Sequence, residues 1–251
     1  MKAKLENITV VLHEPHIPEN IGAAARAMCN MGLSNLTVVN PQNYDIERIL
    51  KMATTAAAEI VENIKIRKNL REALAEFNWI VGTTARTGSH RQTLRDPREL
   101  AKEIVDISQN NKIAILFGPE DKGLANRELR YCHTAVTIPT GRCTSLNLAQ
   151  AVMVISYEIF VAGKDLSPPF TPRLASFYEL EGMYEHLKDV LIKIDFIDPK
   201  NPDYWFHNIR RFLSRLKLLS REVKIIRGIC RQLLWYMETH QRYGSDTGKD
   251  E

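Results

Sequence analysis

The sequence predicts an α/β protein, with a largely parallel sheet flanked by helices, followed by a smaller all-helical C-terminal domain. Three observations carry that reading. Short β-branched runs alternate with helix-length segments through about the first 160 residues. The apolar runs Ile113–Phe117 and Thr134–Pro139 each end in a Gly/Ser/Thr-rich loop, as strands do at the carboxyl edge where α/β proteins hold ligands. Beyond residue 171 the apolar residues recur only at threes and fours.

The elements follow in order. Ile8–Leu12 reads as the first buried strand, and His13–Asn20 as a polar loop broken by prolines. An alanine-rich helix is expected over Ile21–Met31, with Asn20 near its cap and Gly32 just past its end. Leu36–Asn40 is the second strand; Ile46–Ile60 and Lys68–Phe77 are helical, and Trp79–Gly82 is a strand. The loop Thr83–Gly88 then leads to a helix that starts at Pro97 and runs to about Ser108. After the two strands named above, Ala149–Phe160 suits a buried helix, for which Ser145 is the expected N-cap and Asn147 a first-turn residue. The boundaries expected are a domain over 1–162, a linker over 163–171, a helical domain over 172–243 and a disordered tail over 244–251. Thr171-Pro172 reads as a cap and first-turn proline, and Ser220 as the break between two later helices.

Composition narrows the class. With 251 residues, 44% hydrophobic and 25% charged, the chain can bury a sizeable core. A net charge of +4 is too mild to imply a polyanionic partner by itself, although eight Lys/Arg face one acidic residue, Glu222, between His207 and Arg231. That bias fits either the solvated face of a helical bundle or a surface for nucleic-acid phosphates. Cys29, Cys132, Cys143 and Cys230 are widely spaced, which fits reduced thiols in a cytoplasmic protein, and no segment reads as a membrane span. Glycine-rich nucleotide loops and the G-x-S-x-G elbow are absent. His13-x-x-His16 and Cys132-His133 with Cys143 lack further ligands at metal-site spacing, so no metal centre is expected.

Three stretches stand out. Asn20-x-Gly22 precedes Arg26, a single arginine in an apolar, alanine-lined helix, where a snorkelling flank residue is the plainer reading. Gly118-Pro-Glu120-Asp-Lys-Gly123 follows one strand, and Ser145-Leu-Asn147-Leu precedes the last helix of the first domain. In this order and separation they resemble the three motifs of the SPOUT family of RNA methyltransferases, over about the first 160 residues. The order and the helical extension are most similar to its TrmJ group, tRNA 2′-O-ribose methyltransferases acting at position 32 of the anticodon loop.

The resemblance implies more than the pattern does. It implies a sheet whose C-terminal part is threaded into a trefoil knot, an exception to the no-knot rule, and a homodimer with its site near the interface. It implies S-adenosyl-L-methionine bound against Thr83, Thr84, Ala85, Gly118, Ile138, Thr144, Ser145 and Leu146. Arg26 is then expected to stabilise the developing alkoxide, with Asn20 and Glu120 orienting the arginine and the ribose, and Ser145 and Asn147 fixing the acceptor pocket. The partner implied is tRNA rather than DNA. Ribose methylation of ribosomal RNA, or a non-catalytic RNA-binding assembly role, are the alternative readings.

Overall fold

Buried β-branched runs build the centre of the N-terminal unit. Its strands are β1 (Ile8–His13), β2 (Asn35–Val39), β3 (Lys65–Arg67), β4 (Trp79–Thr83), β5 (Leu94–Arg95), β6 (Ile113–Phe117) and β7 (Thr134–Val136). The helices are α1 (Pro18–Asn30), α2 (Ile46–Glu62), α3 (Leu70–Leu74), α4 (Pro97–Ile107), α5 (Asn126–Leu129) and α6 (Leu148–Asp165). This computed structural model describes residues 3–85, 94–165 and 172–246. It divides into two units, Met1–Arg173 and Leu174–Glu251.

Among the described residues, the strands form one seven-stranded sheet in the order β3-β2-β1-β6-β4-β7-β5. Every pairing is parallel. Ile8, Val11, Leu12, Ile80, Ile113 and Leu116 are fully enclosed, as expected where helices cover both faces of a parallel sheet. β3 and β5 are absent from the sequence reading, because runs of three and two residues are too short to show a periodicity. β7 ends at Val136, short of the expected Pro139, and α3 is confined to Leu70–Leu74, where Asn69 caps it through Glu72 N–H at 2.8 Å.

The helix ends correct several expectations. α1 starts at Pro18, three residues before Ile21, because proline at N1 has its φ preset and no N–H to satisfy. Asn20 is therefore inside the first turn, not at the cap. Gly22 sets how closely α1 meets α2, since a Cβ there would lie 2.0 Å from the Ile49 carbonyl oxygen. α6 runs on to Asp165 and is only partly enclosed: Val152, Ile155 and Ile159 face inward, whereas Met153, Val154 and Phe160 are half-buried and Tyr157 is exposed.

The C-terminal unit holds α7 (Phe177–Lys193), α8 (Pro202–Leu213) and α9 (Ser220–Asp246). The expected start at Thr171-Pro172 is not a helix start: Pro172 is non-helical, Thr171 is outside the described residues, and α7 begins behind the Ser176–Glu179 capping box. Leu180, Met183, Tyr184, Ile197, Phe206 and Val223 form its core. α9 extends three residues into the segment expected as a tail, while 86–88 of the expected loop, 166–171 of the linker and 247–251 of the tail lie outside the described residues.

Thr54 is strained. Thr54 takes φ 63° and ψ 165° in the middle of α2, breaking the helix at an exposed, β-branched position. Such a conformation costs on the order of 1–3 kcal/mol for a residue with a branched Cβ. Glycine adopts it freely, at an entropic cost of roughly 0.5–1 kcal/mol. Thr54→Gly is expected to stabilise the protein by about 1 kcal/mol, read as a higher urea midpoint at unchanged slope; a lower midpoint would show that Thr54 is not under strain.

Candidate functional site

β1 and β6 lie side by side, with Val10 opposite Ile115, yet their outgoing connections part. The chain leaves β1 through α1 toward β2 and leaves β6 through α5 toward β7, beyond β4. A crevice therefore opens outside their carboxyl ends, at the switch point where ligands sit in open α/β sheets. The loop after β6 closes tightly: Gly123 N–H donates to Pro119 C=O at 2.8 Å, and Gly123 holds a φ of 61° that favours glycine. Gly118 packs directly on that backbone, since a Cβ there would come within 2.3 Å of the Gly123 carbonyl carbon.

Into this crevice project groups from all three stretches singled out in the sequence. Glu120 Oε1 accepts from Asn20 Nδ2 at 2.7 Å and from Ile17 N–H at 3.3 Å, and Glu120 Oε2 accepts from His16 N–H at 2.9 Å. Asn147 Nδ2 donates to Asn20 Oδ1 at 2.9 Å, while Asn147 Oδ1 accepts from Ala149 N–H at 2.9 Å. Burial works against the charge on Glu120, but the hydrogen bonds from Asn20, His16, its own backbone and Ile17 outweigh it together and hold the carboxyl below its ordinary value. The carboxylate is thus a saturated acceptor and poorly suited to take up a proton.

Beside this chain of amides lies a cavity of about 300 Å³, at the lower end of small-molecule sites. Thr83, Thr84, Ala85, Gly118, Ile138, Thr144, Ser145 and Leu146 all line it, together with Glu120. The sequence reading missed Asp121 and Lys122 at its rim, and Leu124, Val136 and Leu148 in its wall. Those apolar residues carry no sequence mark that separates a pocket wall from ordinary core.

Two expected residues are placed otherwise. Ser145 lines the cavity without capping α6; Asn147 is the cap, because its Oδ1 reaches Ala149 N–H. Arg26 is exposed on α1, is not in the cavity wall, and no hydrogen bond or ion pair joins it to Asn20 or Glu120. Six residues of helix carry it about 9 Å along the axis and turn it away from Asn20. Within one chain Asn20 and Glu120 are bonded to each other.

The His13-x-x-His16 pair gains no metal partners: among the described residues no group of three or more ligating side chains occurs. His13 Nε2 lies 3.8 Å from buried Glu128, and burial keeps its pKa low against the pull of Glu14 and Glu128. Glu128 itself is held ionised: burial opposes its charge, but Arg127 and Ala125 N–H outweigh that cost. The 3.8 Å contact lies where the end of β1 meets α5 and is too long for a hydrogen bond.

Comparisons with known proteins agree with one another. The sequence profile of the SpoU rRNA Methylase family matches residues 7–157, and that of the tRNA methyltransferase TrmJ C-terminal domain matches residues 178–243. The tRNA (cytidine/uridine-2′-O-)-methyltransferase TrmJ of Cronobacter sakazakii is 37% identical over 233 residues, which cover 90% of this chain and 95% of that protein. Its namesake in Escherichia coli K12 is also 37% identical over 233 residues, covering 90% and 94%. Among solved structures, TrmJ from Z. mobilis ZM4 superimposes with a TM-score of 0.77 at 29% identity, covering 90% of this chain and 98% of that one.

The saturated carboxylate yields a test. Glu120→Gln places an amide donor against the His16 or Ile17 N–H, and a donor facing a donor costs on the order of 1–2 kcal/mol at a half-buried site. Because the folded pKa of Glu120 is lowered, its contribution is complete above the ordinary carboxylate range and is lost only as pH falls through the lowered value. Unfolding measured between about pH 3 and pH 7 should show the variant less stable, with the difference shrinking toward acid. A constant difference across that range would refute the ionised role.

Proposed function

This chain belongs to the SpoU methylase family and, within it, groups with the TrmJ proteins, and from that premise we propose that it methylates the ribose 2′-hydroxyl of a pyrimidine in tRNA, at position 32 of the anticodon loop. The observation that carries the reading is the Asn147–Asn20–Glu120 chain, which joins all three motif stretches at one edge of one cavity.

The donor, S-adenosylmethionine, supplies an activated methyl group on a sulfonium. The cavity suits it. Leu124, Val136, Ile138 and Leu146 offer apolar surface for an adenine, and Thr83, Thr84 and Ala85 let the backbone come close. At the rim, the carboxylate of Asp121 and the ammonium of Lys122 would offer a zwitterionic amino-acid end both signs of charge.

The chain's own residues then have separate tasks. Glu120 stays ionised and holds Asn20; Asn20 holds Asn147; Asn147 presents its remaining amide hydrogen toward the acceptor sugar. The part of Arg26 is electrostatic: a guanidinium is no general base, and it steadies the developing alkoxide and the neighbouring phosphate, which takes up the proton.

Arg26 lies outside the cavity of its own chain, and α6 leaves Met153, Val154, Tyr157 and Phe160 incompletely covered beside α1. Both features support a homodimer in which Arg26 serves the partner's site. Among the described residues no helix is long and apolar enough to cross a membrane, which is consistent with a cytoplasmic enzyme.

In the C-terminal unit the basic bias divides. Arg210 pairs with Glu181 over the Tyr184 ring, so it supports the core, whereas Arg221, Lys224 and Arg231 are exposed along α9 and available to RNA phosphates.

Two measurements test this reading. Arg26→Ala should lower methyl incorporation into tRNA at least about a hundredfold while S-adenosylmethionine affinity is retained; turnover near wild type would remove Arg26 from the chemistry. Replacing Arg221, Lys224 and Arg231 together by alanine should weaken tRNA binding and flatten its dependence on salt. An unchanged salt slope would exclude α9 from the RNA contact.

A further inference from the structure

The Asn147–Asn20–Glu120 chain has a direction, and the direction is forced. A carboxylate only accepts, so Glu120 requires the amide NH₂ of Asn20. Asn20 then turns its oxygen toward Asn147, which must answer with its own NH₂. That leaves the Asn147 oxygen pointing back along α6, where the Ala149 N–H meets it. Reversing either asparagine amide would set donor against donor at one of its contacts and acceptor against acceptor at the other. At the Glu120 end the direction is fixed by the backbone N–H groups of His16 and Ile17. At the Asn147 end it depends on how well the cap is made.

That cap is reciprocal. Gln150, one turn into α6, returns its side-chain oxygen to the backbone N–H of Asn147 at 3.3 Å. Asn147 and Gln150 therefore make a reciprocal cap related to the capping box: the Asn147 side chain accepts from the second helical residue, Ala149, and the side chain of the third, Gln150, accepts from the cap. Both residues are exposed, so water competes for the same groups, and the cap holds only if the two bonds support each other.

Building on the reading of the site given above, we propose that Gln150 is a positioning residue for methyl transfer: it holds Asn147 in the cap conformation that turns the Asn147 amide toward Asn20 and the acceptor sugar. It touches neither the cavity nor Asn20 and acts through Asn147 alone. The binding of S-adenosylmethionine, which faces the residues before the cap, does not depend on it.

The first test is structural and independent of activity. In a crystal structure of Gln150→Ala, the Asn147 side chain leaves Asn20, lengthening their contact beyond about 3.5 Å. A contact kept at its present length overturns the inference. The second test is kinetic. Gln150→Ala lowers kcat for tRNA methylation about five- to tenfold, as loss of one net hydrogen bond from the transition-state geometry predicts, with S-adenosylmethionine affinity within about twofold of wild type. Gln150→Glu, whose carboxylate accepts the same N–H, restores kcat.

A double-mutant cycle separates positioning from general weakening of α6. Once Asn20→Ala has removed the middle of the chain, Gln150→Ala should have no further effect on kcat. Additive losses, a parallel fall in cofactor affinity, or a Glu variant as impaired as the Ala variant would each overturn the assignment. A wild-type protein that methylates no tRNA would count against the proposed function, and the crystal structure would still decide the role of Gln150.

Discussion

Glu120 keeps its charge in the cavity wall because N–H groups are turned toward it, and, besides its own backbone, these come from Asn20, His16 and Ile17, a stretch about a hundred residues earlier in the chain. A carboxylate without them would be too costly to bury even in part. Much of the N-terminal unit can be understood as the means of delivering those donors. β1 and β6 must be neighbours, so that the loops leaving them meet. The His13–Asn20 stretch must end in a helix whose first turn faces the crevice, and proline at its first position starts that helix early enough to bring Asn20 round.

The position of α1 depends in turn on packing. Gly22 lets α2 approach until the Ile49 carbonyl lies where a Cβ would be, so a side chain at Gly22 would push α1 and Asn20 away from Glu120. Thr54 belongs to the same arrangement. The break there redirects the second half of α2, whose Ala57, Ile60 and Val61 are buried, and the capped first half keeps Ile49 against α1. Strain on an exposed residue and close contact at a buried glycine are thus two consequences of fitting α2 around α1.

The sequence made some of this legible and concealed the rest, for definite reasons. The long strands and helices follow from their period, and the residues around the cavity follow from a resemblance borne by Gly118, Glu120, Ser145 and Asn147. What was hidden is the part that depends on partners. Asn147 and Ser145 are both competent caps, and only the reach of Asn147 Oδ1 to Ala149 N–H decides between them. Gly22 reads as part of a motif, yet its neighbour is α2, which no local pattern reveals. Arg26 stands out by composition, and composition says nothing of whether it faces its own cavity. β3 and β5 exist because the sheet has edges to fill, not because three or two residues dictate extended structure.

The division of labour between the two ends of the amide chain also explains why its residues are not interchangeable. Asn20 must both give and receive, so an aspartate there could not donate to Glu120, and two carboxylates would then face each other across 2.7 Å. Asn147 likewise accepts from the helix and gives to Asn20; serine, an adequate cap, has no second group with which to reach it. Glu120 must only accept, and an amide in its place would present a donor to the N–H groups of His16 or Ile17. Each position thus has a different requirement, set by what its two neighbours leave open, and only the order Glu, Asn, Asn satisfies all of them with both ends anchored on backbone N–H groups. The polarity that results leaves Asn147 with a second amide hydrogen that none of these bonds uses.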